Sequence, residues 1–370
     1  LYHLIFVVKI KIIMKVSILG NGLTSLALAK MLANEGIKVD IFSDKKSHKI
    51  NEIQTLGISK SNVDFFNKKI LNIKKSIWEI KKIEIFCDNL KNEKILNFEN
   101  NKQTLFSITR NLDLYNNLLL SLNKDKLIKF KKKISHEHLL KRNYNLIFNC
   151  DYNNYISKKL FYRKIKKNYD SYAHISTFKH KRLSNNRIAY QVFTKKGPIA
   201  FLPISSTQTS IVFSAKGGKD ISLNEFIKKY NFKYEILEIN KSLSFPLKSS
   251  NLRSYYHDNI IAFGDLLHKL HPLAGQGFNM TIRDIKEIYN LIIFKKEHGL
   301  DIDKSICSDF EKKTKNRNYL FSQGIDFIYE FFNLENRFNN KTLSTSVQFF
   351  GRNQIVKNFL TKFADNGLVN

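Results

Sequence analysis

KVSILGNGLTSLALAKMLANEGIKVDIF, residues 15–42, is the stretch from which the fold is read. Residues 15–19 are short, apolar and β-branched, the pattern of a buried strand. LALAKMLANEG (26–36) repeats apolar residues at helical spacing and ends on Gly36, a residue suited to a helix C-terminus. IKVDIF (37–42) returns to a strand pattern, so the segment opens as a βαβ unit. In the turn between first strand and helix, Gly20, Gly22 and Ser25 form a GxGxxS. Gly20 permits the tight turn, Gly22 lets the backbone approach a pyrophosphate, and the small Ser25 lets helix pack closely on strand. The helix N-terminus offers unpaired N–H groups and a positive dipole end to the phosphates. A glycine-rich turn in another kind of α/β protein is the competing reading, and the flanking strand and helix favour dinucleotide binding over it. An acid is expected at the end of the second strand to hold the adenosine ribose. Ser43 stands there instead, with Asp44 one residue later.

Working outward, residues 111–122 have helical spacing with Asn111 as N-cap, and 144–149 read as another buried strand. IAYQVFT, IAFLPI and TSIVFSA, between 188 and 215, read as an antiparallel meander separated by KKGP and SSTQ. Residues 259–263 form a buried strand, 278–297 a helix, and 303–369 are mostly helical with aromatic runs. Residues 61–102 carry no clear pattern. The prolines Pro198, Pro203, Pro246 and Pro272 are expected in loops and at sheet edges.

The chain of 370 residues carries a formal net charge of +30, which points to nucleic acid or an anionic membrane surface as partner. Lysine, asparagine and isoleucine are abundant throughout, so most of that charge reads as composition and a solvated face. Residues 158–182 nevertheless hold nine Lys/Arg against one acid, Asp170. With no nucleic-acid motif beside them, the expectation is a membrane surface and no nucleic acid. Cys87, Cys150 and Cys307 are odd in number and far apart, which argues against a disulfide framework or zinc site and for a reducing compartment. LYHLIFVVKIKII (1–13) is too short to span a bilayer and is broken by Lys9 and Lys11, so it reads as an extension with the fold starting at Met14. The expected location is cytoplasmic, peripheral on the inner face of the membrane.

The second informative segment is IIAFGDLLHKLHPLAGQGFNMTIRD (260–284). A strand ends at Gly264–Asp265, where the carboxylate can accept hydrogen bonds from a polyol. Gly275 and Gly277 allow a flat ring to lie against the backbone, and the helix that follows points its N-terminal dipole at it. This segment resembles the GD-x-x-H-x-x-HP-x-x-GQG-x-N motif of the class A flavoprotein monooxygenases, especially the ubiquinone-biosynthesis hydroxylases. FTKKGPIAFLPIS (193–205), FPLKS (245–249) and Arg110-Asn111-Leu112 also fall where that family places them. The resemblance runs patchily from Met14 to Gly351.

The resemblance implies an α/β fold: a Rossmann-like FAD-binding domain (14–60, 103–155 and 250–298) with an inserted, mostly antiparallel β-sheet substrate domain (61–102 and 156–249) and a C-terminal helical region (299–370). It implies FAD as cofactor, NAD(P)H as transient co-substrate, and O2-dependent hydroxylation of an aromatic ring on a lipid-tailed ubiquinone precursor. Membership of a quinone-biosynthesis complex follows as a further expectation. Gly20, Gly22 and Ser25 would cradle the pyrophosphate, with Ser43 or Asp44 at the ribose and Arg110 near the cofactor. Asp265 would hold the ribityl chain. Pro272 would sit by the isoalloxazine ring, with Gly275, Gln276, Gly277 and Asn279 along its pyrimidine edge. The chemistry is borne by the flavin, so no side-chain base is assigned, although Pro272 and His271 lie near the ring. His268 and His271 read as loop histidines, and no metal is expected.

Three departures stand out. Gln54 replaces an arginine, Ser43 replaces an acid, and CDYNNYISKK (150–159) keeps Asp151 but has Tyr152 where the family has glycine. They keep two alternatives open: a flavin dehydrogenase or reductase of the same fold, and a non-catalytic FAD-fold subunit.

Overall fold

The computed structural model describes residues 14–43, 51–88, 93–99, 104–271 and 275–338, with 362, 365 and 367. The 1–13 stretch, Asp44 and Pro272 lie outside the described residues.

The opening βαβ unit is β1 (Lys15–Leu19), α1 (Leu23–Asn34) and β2 (Lys38–Ser43). Helix α1 is buried on nearly every side, because it packs on α3 (Asn111–Asn123) and α7 (Gln276–Glu297) as well as on the sheet. That is why it is apolar all round rather than amphipathic. Leu26, Leu28, Met31 and Leu32 are fully buried, each contributing about 1.5–3 kcal/mol on removal from water. The helix ends in a Schellman motif. Ile37 N–H donates to Leu32 C=O at 3.1 Å and Gly36 N–H to Ala33 C=O at 2.8 Å, with Gly36 at φ +75°.

Three sheets organise the described residues. The first has six strands in the order β16-β17-β9-β1-β2-β8, adding β8 (Ile128–Lys132), β9 (Leu146–Asn149), β16 (Tyr256–His257) and β17 (Ile260–Ala262). All its pairings are parallel except β16 with β17. Strand β8 (IKFKK) is the open edge, and its exposed lysines discourage pairing with another chain.

The second sheet has nine strands and is mostly antiparallel. It contains β5 (Lys82–Cys87), β6 (Glu93–Glu99), β10 (Lys164–His180), β11 (Ile188–Thr194), β12 (Gly197–Pro203), β13 (Gln208–Lys216), β14 (Ile236–Ile239), β15 (Leu243–Leu252) and β18 (His268–Lys269). The meander expected over 188–215 is β11, β12 and β13. At its first turn Gly197 has φ +133°, and a Cβ there would lie 2.0 Å from Ser214 C=O, so only glycine fits. The segment without a clear pattern holds α2 (Lys60–Lys69), β4 (Trp78–Ile80), β5 and β6. A small third sheet pairs β7 (Phe106–Arg110) with β3 (Thr55–Ser59) and β4. Helices α4 (His136–Leu140), α5 (Tyr155–Leu160), α6 (Leu223–Tyr230) and the long α8 (Ser305–Phe338) complete the described elements. Among the described residues no helix is long and apolar enough to cross a membrane.

Several expectations are corrected. Pro198, Pro203 and Pro246 do not sit in loops. The first two lie at the ends of β12, and Pro246 lies in β15, paired with Tyr172 beside a bulge in β10 and beyond the two residues of β15 that β18 covers. Asn111 is not the N-cap of α3; Arg110 holds that position and Asn111 is the first helical residue. Helix α7 starts at Gln276, two residues earlier than its apolar pattern. His268 is not in a loop but in β18, which pairs with β15 of the large sheet.

Candidate functional site

The parallel strands end together. Leu19 pairs with Phe42 and Asn149, and Asn149 pairs with Ala262, so Gly20, Cys150 and Phe263 leave the sheet side by side, with Gly264 one residue further on. Hydrogen bonds continue one step past the strands, from Gly20 N–H to Phe42 C=O at 2.8 Å and from Cys150 N–H to Leu19 C=O at 2.9 Å. In the strand order, β1 leads through α1 to β2 on one side and has β9 on the other. The crevice at such a reversal, outside the carboxyl ends, is where open α/β sheets bind ligands.

At this edge Gly20 has φ +108°, and a Cβ there would meet Ser25 Oγ at 3.3 Å and Asp151 N at 3.5 Å. Gly22 is different. Its φ of −73° and ψ of 174° suit any residue, so what it contributes is a bare N-cap. Helix α1 has neither a side-chain cap nor an acid in its first turn, which leaves its first N–H groups and dipole free for an anion. Gly264, at φ +63°, presses on this same turn: a Cβ there would lie 2.8 Å from Thr24 Cγ2. The two glycine motifs, far apart in sequence, therefore meet at one edge.

The third wall is the start of α7. Gly275, at φ +64°, is its N-cap, again with no side-chain cap and no acid in the first turn. A Cβ on Gly275 would lie 3.5 Å from Gly57 N, so β3 and the α7 N-terminus touch backbone to backbone. Asn279 fastens them. Its Oδ1 accepts from Ser59 N–H at 2.8 Å and Asn62 Nδ2 at 2.9 Å, and its Nδ2 donates to Gly57 C=O at 2.9 Å. The Asn279 side chain thus serves the fold and leaves only its peptide to line a ring. Gly277 is exposed, with nothing within 4 Å of its Cβ position. Gln276 is buried, and its Oε1 has no hydrogen-bond partner among the described residues. Asp265 is exposed at the strand's end, with no ion pair or hydrogen bond among the described residues.

Other sequence-predicted residues have separate roles. Ser43 ends β2, and its carbonyl accepts from Lys133 N–H. The Arg110 guanidinium donates to Gln208 Oε1, bridging the start of α3 to β13. His271 is buried between Tyr329, 4.2 Å away, and Tyr169, 4.8 Å away. Burial, helped by the positive charge of Lys167, pushes its pKa down to about 3, so it is neutral. Its ring packs between β10 and α8.

Three residues were missed by the sequence reading. Cys150 sits at the centre of the carboxyl edge against Ser25, and burial, with the charges of Asp151 and Asp265, pushes its thiol up to about 12. Thr24 and Gly57 matter only as surfaces for Gly264 and Gly275, which no local pattern marks. The departing middle motif has its own logic. Asn154 caps α5 by accepting from Ser157 N–H at 2.7 Å, and Asn149 binds both Asn154 and Ser157.

The comparisons refine this picture. No family model matches the chain. The protein HpxO of Klebsiella pneumoniae, solved with FAD and uric acid, superposes with a TM-score of 0.75 at 11% identity, over 95% of this chain and 97% of its own. The p-nitrophenol 4-monooxygenase PnpA of Pseudomonas putida superposes with a TM-score of 0.71 at 11% identity, over 97% of this chain and 99% of its own, so the chain has the fold of FAD-binding monooxygenases. In sequence it is similar to the mitochondrial ubiquinone biosynthesis monooxygenase COQ6 of Schizosaccharomyces pombe, 23% identical over 250 residues, 54% of this chain and 52% of the relative. It is also similar to the 3-demethoxyubiquinol 3-hydroxylase of Escherichia coli, 24% identical over 150 residues, 38% of each chain. The chain spans about half the length, or less, of the curated relatives it matches.

Proposed function

We propose that this chain holds FAD along the carboxyl edge of the six-stranded sheet. It would insert one oxygen atom from O2 into an electron-rich aromatic ring on a lipid-tailed quinone precursor, with NAD(P)H as transient reductant. The observation that carries the reading is the meeting of Gly264 with Thr24, which brings the early glycine turn and the late Gly-Asp motif into one crevice. The residues there fit the cofactor. The bare first turn of α1, with Gly20 and Gly22, receives the pyrophosphate, and Ser43 faces the ribose end in place of an acid. Asp265, exposed and unpaired among the described residues, accepts polyol hydroxyls. Gly275 and Gly277 leave room for a flat ring, and the buried Gln276 Oε1 accepts the N–H that a ring imide carries. The positive end of α7 favours negative charge on that ring edge.

Bound there, reduced flavin supplies the oxygen-activating chemistry, while the chain positions it and keeps water away. No side-chain base is needed for ring attack. The excess of positive charge favours work beside an anionic membrane.

The test begins with flavin content. The purified chain is expected to carry or rebind FAD, read from its visible absorption, and to take up O2 when given NADPH and a prenylated phenol. Gly22→Val removes the bare N-cap at a backbone conformation valine tolerates. It is expected to abolish flavin retention while leaving the melting curve in place. Turnover with oxygen uptake at background would replace the monooxygenase reading with a dehydrogenase. A folded chain that stays colourless after incubation with FAD would overturn both in favour of a non-catalytic subunit.

A further inference from the structure

We infer that the surface formed by residues 152–166, directly after the carboxyl edge of β9, docks the protein on an anionic lipid bilayer. This deepens the reading of a lipid-tailed substrate and rests on it. The surface starts one residue past Asp151, whose backbone N lies under Gly20, so it adjoins the crevice. It joins two kinds of side chain that suit a headgroup layer. Tyr152, Tyr155 and Tyr162 are exposed by 44%, 61% and 61%, each with an apolar ring and a polar tip. Around them stand Lys158, Lys159, Arg163, Lys164 and Lys166.

The cations hold the rings in place. Lys164 Nζ lies 3.9 Å from the Tyr152 ring centre and Lys159 Nζ 5.5 Å from that of Tyr155, while Arg163 Nε donates to Tyr162 Oη at 3.2 Å. None of the five forms an ion pair among the described residues, and no acid occurs in sequence between Asp151 and Asp170. On the adjoining stretch Lys179, Lys181 and Arg187 are, by comparison, each matched to a glutamate. The register extends the charge sideways. Lys166 pairs across to Ser250 and Ser250 to Lys269, while Arg253 N–H donates to Arg163 C=O at 3.0 Å. The crowding is felt at Lys164, whose pKa falls to about 8 through burial and the neighbouring charge of Lys166. An anionic surface relieves that repulsion, and tyrosines interleaved with unpaired cations match an interface better than base readout.

The test is sedimentation of the full chain with vesicles of phosphatidylcholine and phosphatidylglycerol in equal parts. The chain is expected to bind them, to release as salt rises, and to ignore pure phosphatidylcholine. Neutralising Lys158, Lys159 and Lys166 together to Gln is expected to weaken binding about fivefold per residue, roughly a hundredfold in all. The same neutralisation at Lys124, Lys126 and Lys129 should leave affinity within a factor of about two. Tyr155→Ala with Tyr162→Ala should lower the part of the binding that survives salt. The inference is overturned if the native chain ignores anionic vesicles, or if both lysine triples lose binding equally. It is likewise overturned if the first triple loses binding to a duplex oligonucleotide while vesicles are never bound. Vesicle binding is read without flavin or turnover, so a failure here is separate from a failure to hold FAD.

Discussion

His268 Nε2 lies 2.5 Å from Asp284 Oδ2, with both side chains sealed from solvent, and Asn318 Nδ2 donates to the other carboxylate oxygen at 2.9 Å. One carboxylate therefore ties β18, the last strand of the large sheet, to α7 and α8. Asp284→Ala leaves two buried donors without an acceptor and is expected to cost about 3–5 kcal/mol. Asn318→Ala, which removes one hydrogen bond to that carboxylate and leaves the other in place, should cost less, about 1.5–3 kcal/mol. Urea unfolding of the three proteins checks the order, and equal losses for both variants would remove the carboxylate from its central place.

Gly264 tests the packing that joins the two motifs. A side chain there meets two obstacles, a left-handed backbone at φ +63° and Thr24 Cγ2 at 2.8 Å. Gly264→Ala is expected to destabilise by about 1 kcal/mol for the backbone, and by a similar amount or more for the clash. Adding Thr24→Ala removes the atoms in the way and should restore only the second part. A double-mutant cycle in thermal melts reads this as a coupling of roughly 1 kcal/mol. Additive losses would mean that the two residues do not touch.

The parts of the fold legible in the sequence were those written in consecutive residues. The βαβ unit, the 188–215 meander and the body of α7 follow from period and glycine spacing. What escaped was set by partners across the fold. Pro246 was expected in a loop or at a sheet edge, because its place inside β15 beside a bulge in β10 is a register fact. For Asn279, nothing local shows that Ser59 N–H, Asn62 and Gly57 C=O converge on its side chain. Cys150 drew notice only as an unpaired thiol, although the parallel pairing of β9 with β1 and β17 puts it at the middle of the crevice. Arg110 took the N-cap from Asn111 because β7 runs straight into α3.

His271 gives a prediction in pH. Its pKa is held at about 3 by burial and by Lys167, against an ordinary value of 6.5. Between those two values the unfolded chain binds a proton that the folded chain does not. Stability is therefore full above pH 6.5 and falls as pH drops towards 3, by up to about 1.4 kcal/mol per pH unit. His174, also lowered by burial, acts in the same direction. His271→Gln keeps a polar side chain of similar size without the titration. Relative to the native chain, its urea midpoint should become less sensitive to pH between 6 and 4, by one proton's worth of slope. An unchanged slope would mean that His271 reaches water in the folded state.

Gly277 separates fold from function most cleanly. It lies in the first turn of α7, exposed, and a Cβ there meets nothing within 4 Å. For the folded chain alone, alanine is the better helical residue, and Gly277→Ala should be neutral or stabilising by about 0.5–1 kcal/mol. If a flat ring lies against this backbone, the same methyl group occupies the space the ring needs. Flavin affinity is then expected to fall at least about tenfold, near 1.4 kcal/mol. The apoprotein's melting temperature should rise or hold while the dissociation constant for FAD, read by fluorescence quenching, worsens. Stability and affinity moving together would mean that the space beside Gly277 belongs to the solvent and not to the cofactor.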